Sequence, residues 1–116
     1  MRHLYHKEAA SGRWHSLSLV EQMGHVGSEV GRAARWQGKN EPLYDSAVDR
    51  AFELLDLTIN DLRWRLRLKE LVRVREILAD AVLGGQEYGS KFVDLNRYFL
   101  CFALAARNPL RNRATV

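Results

Sequence analysis

Apolar residues recur with the period of an α-helix between Tyr44 and Ile59. A period near 3.6 lines such residues along one side of a helix, whereas a strand needs simple alternation. The segment therefore predicts an amphipathic helix, which Asn40 caps and which tolerates Pro42 in its first turn. Its predicted inner face comprises Tyr44, Ala47, Val48, Ala51, Phe52, Leu54, Leu55, Thr58 and Ile59. Its predicted outer face comprises Asp45, Asp49, Arg50, Glu53 and Asp56.

Another helix is predicted to begin at Ser18. Ser18 and Glu21 have the spacing of a capping box, in which the two side chains satisfy free amides at the helix start. The predicted inner face comprises Leu19, Met23, Val26, Val30 and Ala33, and the outer face Glu21, His25, Ser28, Glu29 and Arg32. Gly24, Gly27 and Gly31 form a stripe beside the inner face. Each interior glycine costs up to about 1 kcal/mol, so the stripe indicates close approach of a neighbouring helix or another subunit.

Two more helices are predicted downstream. Residues 62–68 alternate apolar and basic side chains without a pairing partner, which predicts a loop or irregular start to a helix from about Leu66 to Leu83. Its predicted main face comprises Leu68, Leu71, Val72, Leu78 and Val82, and Gly84-Gly85 ends it. Arg75 falls within that face, so we expect it to pair with a carboxylate or to lie at a subunit interface.

The last helix is predicted to run from a Ser90 cap to about Arg107. Its predicted inner face comprises Phe92, Leu95, Phe99, Phe102, Ala103 and Ala106.

Short connections between consecutive helices favour antiparallel neighbours. A chain of 116 residues lies in the size range of one domain. We therefore expect an all-α fold, an up-and-down four-helix bundle over residues 16–107. Residues 1–15 lack a period and are predicted to form a mobile arm or a short extra helix, and residues 108–116 a short basic tail.

The length of the apolar segments limits where in the cell the protein is expected. No stretch approaches the roughly 18–20 uninterrupted apolar residues that span a bilayer, and the N-terminus lacks the apolar core of a signal peptide. We expect a cytoplasmic protein with no membrane partner. The one cysteine, Cys101, lies in an apolar run and is predicted to be a small buried hydrophobic residue.

The sequence predicts no catalytic residue, no metal ligand and no cofactor. His3 and His6 have a spacing that can bind a metal, but no further constellation completes the site, and His25 is predicted to lie on the surface. The carboxylates of the second helix lack the Glu-x-x-His pattern of di-metal bundles, and we expect them to form a solvated ridge able to meet basic residues of another chain. Phosphate-cradling glycine loops and the nucleophile elbow are absent. An enzyme with an unfamiliar site, involving His25 or Glu29, is the least favoured alternative.

Positive charge is the feature that stands out. The formal net charge is +4, and the segment 63–75 contains six basic residues with Glu70 as its only acid. The predicted nucleic-acid-binding residues are Arg63, Trp64, Arg65, Arg67, Lys69, Arg73 and, in the tail, Arg111 and Arg113. The arginines and lysine suit phosphates, and Trp64 suits stacking on an unpaired base. The alternative is a solvated helix face or a protein interface, with Trp64 and the leucines packed inward.

Two helical families share features with this chain. The segment from Glu29 to Ile59, a helix followed by a glycine-containing turn and an apolar helix, resembles the opening of a HEPN-type domain. Such domains are often RNases with an arginine and a histidine close together in their C-terminal half. No histidine follows His25 in this chain, so that active site is missing.

Over residues 16–107 the chain resembles the accessory variability determinant of diversity-generating retroelements in length, helix count and basic character. Residues 27–30, 51–58 and 96–100 are also similar to segments that recur in small prokaryotic proteins. The resemblance implies a homo-oligomeric, ring-like basic bundle that supports a reverse transcriptase and its RNA, without assigning a role to any residue. We therefore expect a non-enzymatic, self-associating accessory protein that binds RNA, DNA or a nucleoprotein partner. The alternative is a scaffold module that contacts only proteins.

Overall fold

In a computed structural model of the chain, the structure describes residues 12–85, 89, 91, 92 and 94–99. These residues form four α-helices and two short 3₁₀ helices, and none of them lies in a strand. The all-α prediction is thus confirmed for this part of the chain. None of the helices that it contains is both long and apolar enough to cross a bilayer.

The first two α-helices begin where their capping residues predict. Helix α1 spans Leu19–Trp36, and the capping box is present: the Glu21 amide donates to Ser18 Oγ over 3.1 Å, and the Ser18 amide donates to Glu21 Oε1 over 3.0 Å. Helix α2 spans Glu41–Ile59, and the side chain of Asn40 accepts from the Leu43 amide over 3.1 Å. Both predicted starts are confirmed.

Helices α1 and α2 pack against each other in antiparallel fashion. A short turn containing Gly38, whose φ of 75° lies in the left-handed region, connects them. Glu29 in the middle of α1 pairs with Arg50 in the middle of α2, at 2.9 Å. Much of the core lies between the two helices, and its fully buried side chains there include Met23, Val26, Val30, Ala51 and Leu55.

Residues 13–15, from the segment predicted to form a mobile arm or a short extra helix, lie with Ser16 in the first 3₁₀ helix, Arg13–Ser16. Trp14 is only 4% exposed and packs in the core, where its indole Nε1 donates to Thr58 Oγ1 over 3.1 Å. The buried tryptophan therefore ties this 3₁₀ turn to the end of α2. The rest of the predicted arm, residues 1–11, lies outside the described residues.

The arginine-rich segment forms the second 3₁₀ helix, Leu62–Arg67, followed by helix α3 over Leu68–Val82. The predicted irregular helix start is confirmed. Within it, Trp64 leaves helical geometry, with φ −102° and ψ 17°. Helix α3 ends before Gly84 and Gly85, which both have positive φ as expected for a glycine C-terminus.

The predicted main face of α3 is partly wrong. Its buried apolar residues are Leu71, Val74, Leu78 and Ala81, whereas Leu68 and Val72 are exposed. Two apolar stripes overlap on this helix, and packing against α2 and the last helix selects the one that contains Val74. Leu68 and Val72 are thereby turned outward, beside the basic residues.

Helix α4 is described at residues 92 and 94–99. Phe92, Leu95 and Phe99 are buried, as predicted. Ser90, Cys101 and the predicted inner positions 102, 103 and 106 lie outside the described residues, as does the predicted tail. Helix α4 crosses α1 closely, since a Cβ atom added to Gly27 would lie 2.5 Å from Phe99 Cβ and one added to Gly31 would lie 2.9 Å from Asn96 Oδ1.

Two acidic residues predicted to face water are buried. Glu29 is enclosed between α1 and α2, where it accepts from Arg32 over 2.6 Å and from Arg50 over 2.9 Å. Glu53 is likewise buried on α2. Both predictions were wrong because neighbouring elements cover positions that the helical period alone assigns to the outer side.

Candidate nucleic-acid interface

Arg63, a predicted phosphate contact, lies at the surface but is bound to other groups of the chain. Its guanidinium forms an ion pair with Asp61, with 2.6 Å between Nη2 and Oδ2. The same Nη2 donates to the carbonyl of Leu17 over 2.8 Å. Arg63 thus fastens the second 3₁₀ helix to the chain entering α1, and its guanidinium is already committed to these partners.

Trp64, the predicted stacking residue, is half-buried rather than freely exposed. Its indole Nε1 donates to Gln22 Oε1 over 2.9 Å. The guanidinium carbon of Arg63 lies 4.4 Å from the ring centroid, within the range of a cation–π contact. The ring therefore packs inward, which is the alternative that the sequence left open for Trp64.

Arg63 and Trp64 belong to a larger set of interlocked polar groups, here called the Asp61 cluster, which comprises Trp14, His15, Gln22, Thr58, Asp61, Arg63 and Trp64. Asp61 is buried and accepts from Gln22 over 3.0 Å, with His15 Nδ1 at 3.1 Å from the same carboxylate. Gln22 donates in addition to the Trp14 carbonyl over 2.9 Å. Nothing in the local sequence pattern around Asp61 indicates this cluster.

The carboxylate of Asp61 is held in its ionised form. Burial alone raises the pKa of Asp61, but hydrogen bonds from Arg63, Gln22 and His15 outweigh it and hold the pKa well below its usual range. Asp61 in turn raises the pKa of Arg63. The pair is therefore a fixed structural ion pair and has no proton to exchange near neutral pH.

The other predicted phosphate contacts among the described residues also lie on the surface. Arg65, Lys69 and Arg73 are exposed, and Arg67 is half-buried with a bidentate contact from its Nη2 to the Glu70 carboxylate at 2.9 Å. A shallow depression of about 1080 Å³, here called the basic groove, brings most of this surface together. Its lining comprises Arg65, Leu66, Arg67, Leu68, Lys69, Glu70, Val72, Arg73 and Glu76.

Apolar side chains are interspersed among these cations. Leu62 is 82% exposed and Leu66 is 94% exposed, and Leu68 and Val72 are also exposed. Leu62 and Leu66, each two positions from the half-buried Trp64, thus project outward from the second 3₁₀ helix. The surface therefore combines positive charge with leucine side chains that project into solvent.

A second depression, here called the slot, lies between α3 and α4. Its volume is about 440 Å³, and it shares Glu70 and Arg73 with the basic groove. Its lining comprises Glu70, Arg73, Val74, Ile77, Gly89, Lys91, Asp94, Leu95 and Tyr98. Tyr98 and Lys91 were not among the predicted site residues, although Tyr98 stands beside the apolar stripe of α4, where an aromatic ring remains accessible.

Gly27, Gly31 and Arg75, which were predicted to pack against a helix or a subunit, have contacts within the same chain. Gly27 and Gly31 face α4, so a neighbouring helix of the same chain makes the close approach, and Gly24 is half-buried. Arg75 pairs with Asp56 at 2.7 Å and lies over the Phe52 ring at 5.0 Å. Asp56 is thus part of an internal pair, and Glu53 is buried, so the predicted solvated ridge is shorter than expected.

Within the described ranges, no three His, Cys, Asp or Glu side chains come together as a metal site. His25 is exposed and its ring lies 5.7 Å from that of Trp14. His3, His6, Arg111 and Arg113 are outside the described residues. Comparison with family models, curated proteins and solved structures finds no match for this chain.

Proposed function

We propose that this protein is a non-enzymatic accessory module that self-associates and binds nucleic acid, or a nucleoprotein partner, through its basic groove. We further propose that its helices complete an up-and-down four-helix bundle, with α1 antiparallel to both α2 and α4. Phe99 lies against Gly27 and Asn96 against Gly31, which is the order of residues that an antiparallel α4 requires.

The observation that carries the proposal is the alignment of Arg65, Lys69 and Arg73 along one exposed groove. Positive side chains that contact phosphates displace the counterions condensed on the nucleic acid, and this release supplies most of the sequence-independent affinity. Arg63 is left out of this set, since it is held by Asp61 and the Leu17 carbonyl. Its role is to position the segment that bears the other cations.

The first test is binding of a structured RNA and of a duplex DNA, measured by fluorescence anisotropy across a salt series. We expect affinity to fall steeply with salt, by about 0.9 log units per log unit of salt for each phosphate contact with duplex DNA. The double variant Arg65→Glu/Lys69→Glu should weaken binding at least tenfold and flatten the salt slope by about two.

A matched control reverses the same number of charges elsewhere. Arg35 and Lys39 are exposed at and beyond the end of α1 and lie outside the basic groove. The variant Arg35→Glu/Lys39→Glu changes the net charge equally and should retain most of the affinity. Equal losses in the two variants would mean that only net charge matters, and unchanged affinity in the groove variant would rule the proposal out.

A second candidate function is a protein-interaction module without nucleic-acid binding. The exposed Leu62 and Leu66 favour it, because projecting leucines add nothing to phosphate contacts but fit an apolar surface on an acidic partner. The nucleoprotein form of the main proposal unites both features. A reverse transcriptase bound to its RNA, the partner implied by the resemblance to accessory variability determinants, offers apolar protein surface and phosphates together.

A further inference from the structure

The slot between α3 and α4 has the dimensions and lining of a ligand site. Its volume of about 440 Å³ falls within the range of small-molecule pockets. Val74, Ile77 and Leu95 form apolar walls, and Tyr98 stands at its edge with 39% of its surface exposed. The Tyr98 ring meets Phe99 edge-on, with ring centroids 5.3 Å apart, and this contact helps to fix its orientation.

Both kinds of charge surround these apolar walls. Arg73 and Lys91 supply positive charge, while Glu70 and Asp94 supply carboxylates. An occupant that matches this lining is flat and apolar in its body, carries N–H donors for the carboxylates, and has an anionic group within reach of the cations. A nucleotide has all of these properties.

We propose that the slot binds the base of an unpaired nucleotide, in a single strand whose backbone follows the basic groove. The inference rests on the proposed nucleic-acid binding and narrows it to strands with accessible bases. Tyr98 would stack on the base, and Arg73 and Lys91 would contact its flanking phosphates. The carboxylate of Asp94 would accept a hydrogen bond from an amino or imino group on the base edge, whereas that of Glu70 already accepts from Arg67.

Continuity of the two depressions supports this occupant over a separate small ligand. Arg73 and Glu70 line both the slot and the basic groove, so a chain of phosphates can pass from one to the other. A duplex keeps its bases stacked and paired, and it can enter the slot only by extruding a nucleotide at additional cost. Single strands should therefore bind more tightly than duplexes of the same length.

The test compares a mixed-sequence single strand with its duplex and with a free nucleoside monophosphate, using the full-length protein. Tyr98→Leu removes stacking but keeps an apolar side chain, whereas Tyr98→Phe retains the ring. We expect Tyr98→Leu to weaken single-strand binding roughly tenfold, since stacking on one base is commonly worth that much. Tyr98→Phe should bind like the unmodified protein, and duplex binding should be the same in all three proteins.

A second variant tests the slot without changing Tyr98, in case Tyr98→Leu disturbs the fold. Ile77→Phe narrows the slot from α3 and should lower single-strand affinity while leaving Tyr98 intact. Equal affinity for single strand and duplex, with both slot variants neutral, would overturn this inference and leave the basic groove standing. If the free nucleotide binds as tightly as the strand, the proposed passage of the strand from the basic groove into the slot is wrong. If no nucleic acid binds at all, the proposed function is refuted as well.

Discussion

At the scale of single residues, Asp61 connects the second 3₁₀ helix to the first 3₁₀ helix and to α1. It caps the second 3₁₀ helix by accepting from the Arg63 amide, and it also holds the side chains of Arg63, Gln22 and His15. A buried carboxylate is unfavourable unless such donors compensate its lost hydration. The cluster therefore makes the position of the arginine-rich segment depend on one ionised group.

Replacing Asp61 with Asn should destabilise the protein by about 1.5–3 kcal/mol at neutral pH, because hydrogen bonds to a charged group are lost. The pKa of Asp61 is lowered by folding, so its stabilisation is present above the unfolded pKa of about 3.9 and is lost as pH falls further towards the folded value. Urea unfolding between pH 7 and pH 3 should show the difference between the two proteins shrinking below about pH 4. Asp45→Asn, at an exposed position, is the control, and a difference independent of pH would contradict the assignment.

At the scale of helices, the glycines of α1 determine how closely α4 can approach. Gly27 and Gly31 both face α4 but differ in what lies opposite. A side chain at Gly27 meets the Cβ atom of Phe99, which cannot move without its backbone. A side chain at Gly31 meets the end of Asn96, a flexible and exposed side chain.

Gly27→Ala should therefore destabilise the protein by about 1–3 kcal/mol through overpacking. Gly31→Ala should be close to neutral or slightly stabilising, since alanine gains up to about 1 kcal/mol in helix propensity and Asn96 can turn aside. Thermal unfolding of the two variants under identical conditions measures both effects. A similar effect of the two substitutions would show that α4 does not pack here as described.

The elements that could be predicted from the sequence are those set by contacts between residues close together in the chain. The starts of α1 and α2 follow from Ser18, Glu21 and Asn40, whose partners lie within three residues. The burial of Trp14 was not predictable, because its partner Thr58 lies 44 positions away. Glu29 likewise looks solvated until Arg50 is brought against it from α2.

The candidate site was predictable only in part, for the same reason. Clustering of charge is visible in the sequence, and Arg65, Lys69 and Arg73 do share one surface. Whether Arg63 and Trp64 point outward depends on Asp61 and Gln22, and the latter is some forty positions distant. The slot requires Arg73 and Tyr98 from two different helices, so no single segment could reveal it.

At the scale of the whole molecule, the surface formed by the second 3₁₀ helix and α3 is both basic and apolar. Leu62 and Leu66 make few contacts with the rest of the fold, since both are largely exposed. Leu66 lies in the basic groove with Leu68 and Val72, and an exposed apolar patch among polar residues is a frequent mark of an interface. We expect Leu62 and Leu66 to contribute to self-association or to contact a protein partner.

The variant Leu62→Ser/Leu66→Ser should therefore shift the protein towards the monomer while changing its free energy of unfolding by no more than about 0.5 kcal/mol per site. Sedimentation velocity over a range of protein concentrations measures the association, and thermal unfolding measures the stability. An unchanged sedimentation coefficient at every concentration would exclude these leucines from the association surface.

Two of the three tryptophans, Trp14 and Trp64, donate their indole hydrogens within the Asp61 cluster. Their emission is consequently an intrinsic optical reporter of this one region, and no added label is needed. Opening of the cluster exposes both rings to water and should shift the emission to longer wavelength. With Trp36 replaced by Phe, the tryptophan emission should therefore follow the anchoring of the second 3₁₀ helix, the segment that carries Arg65.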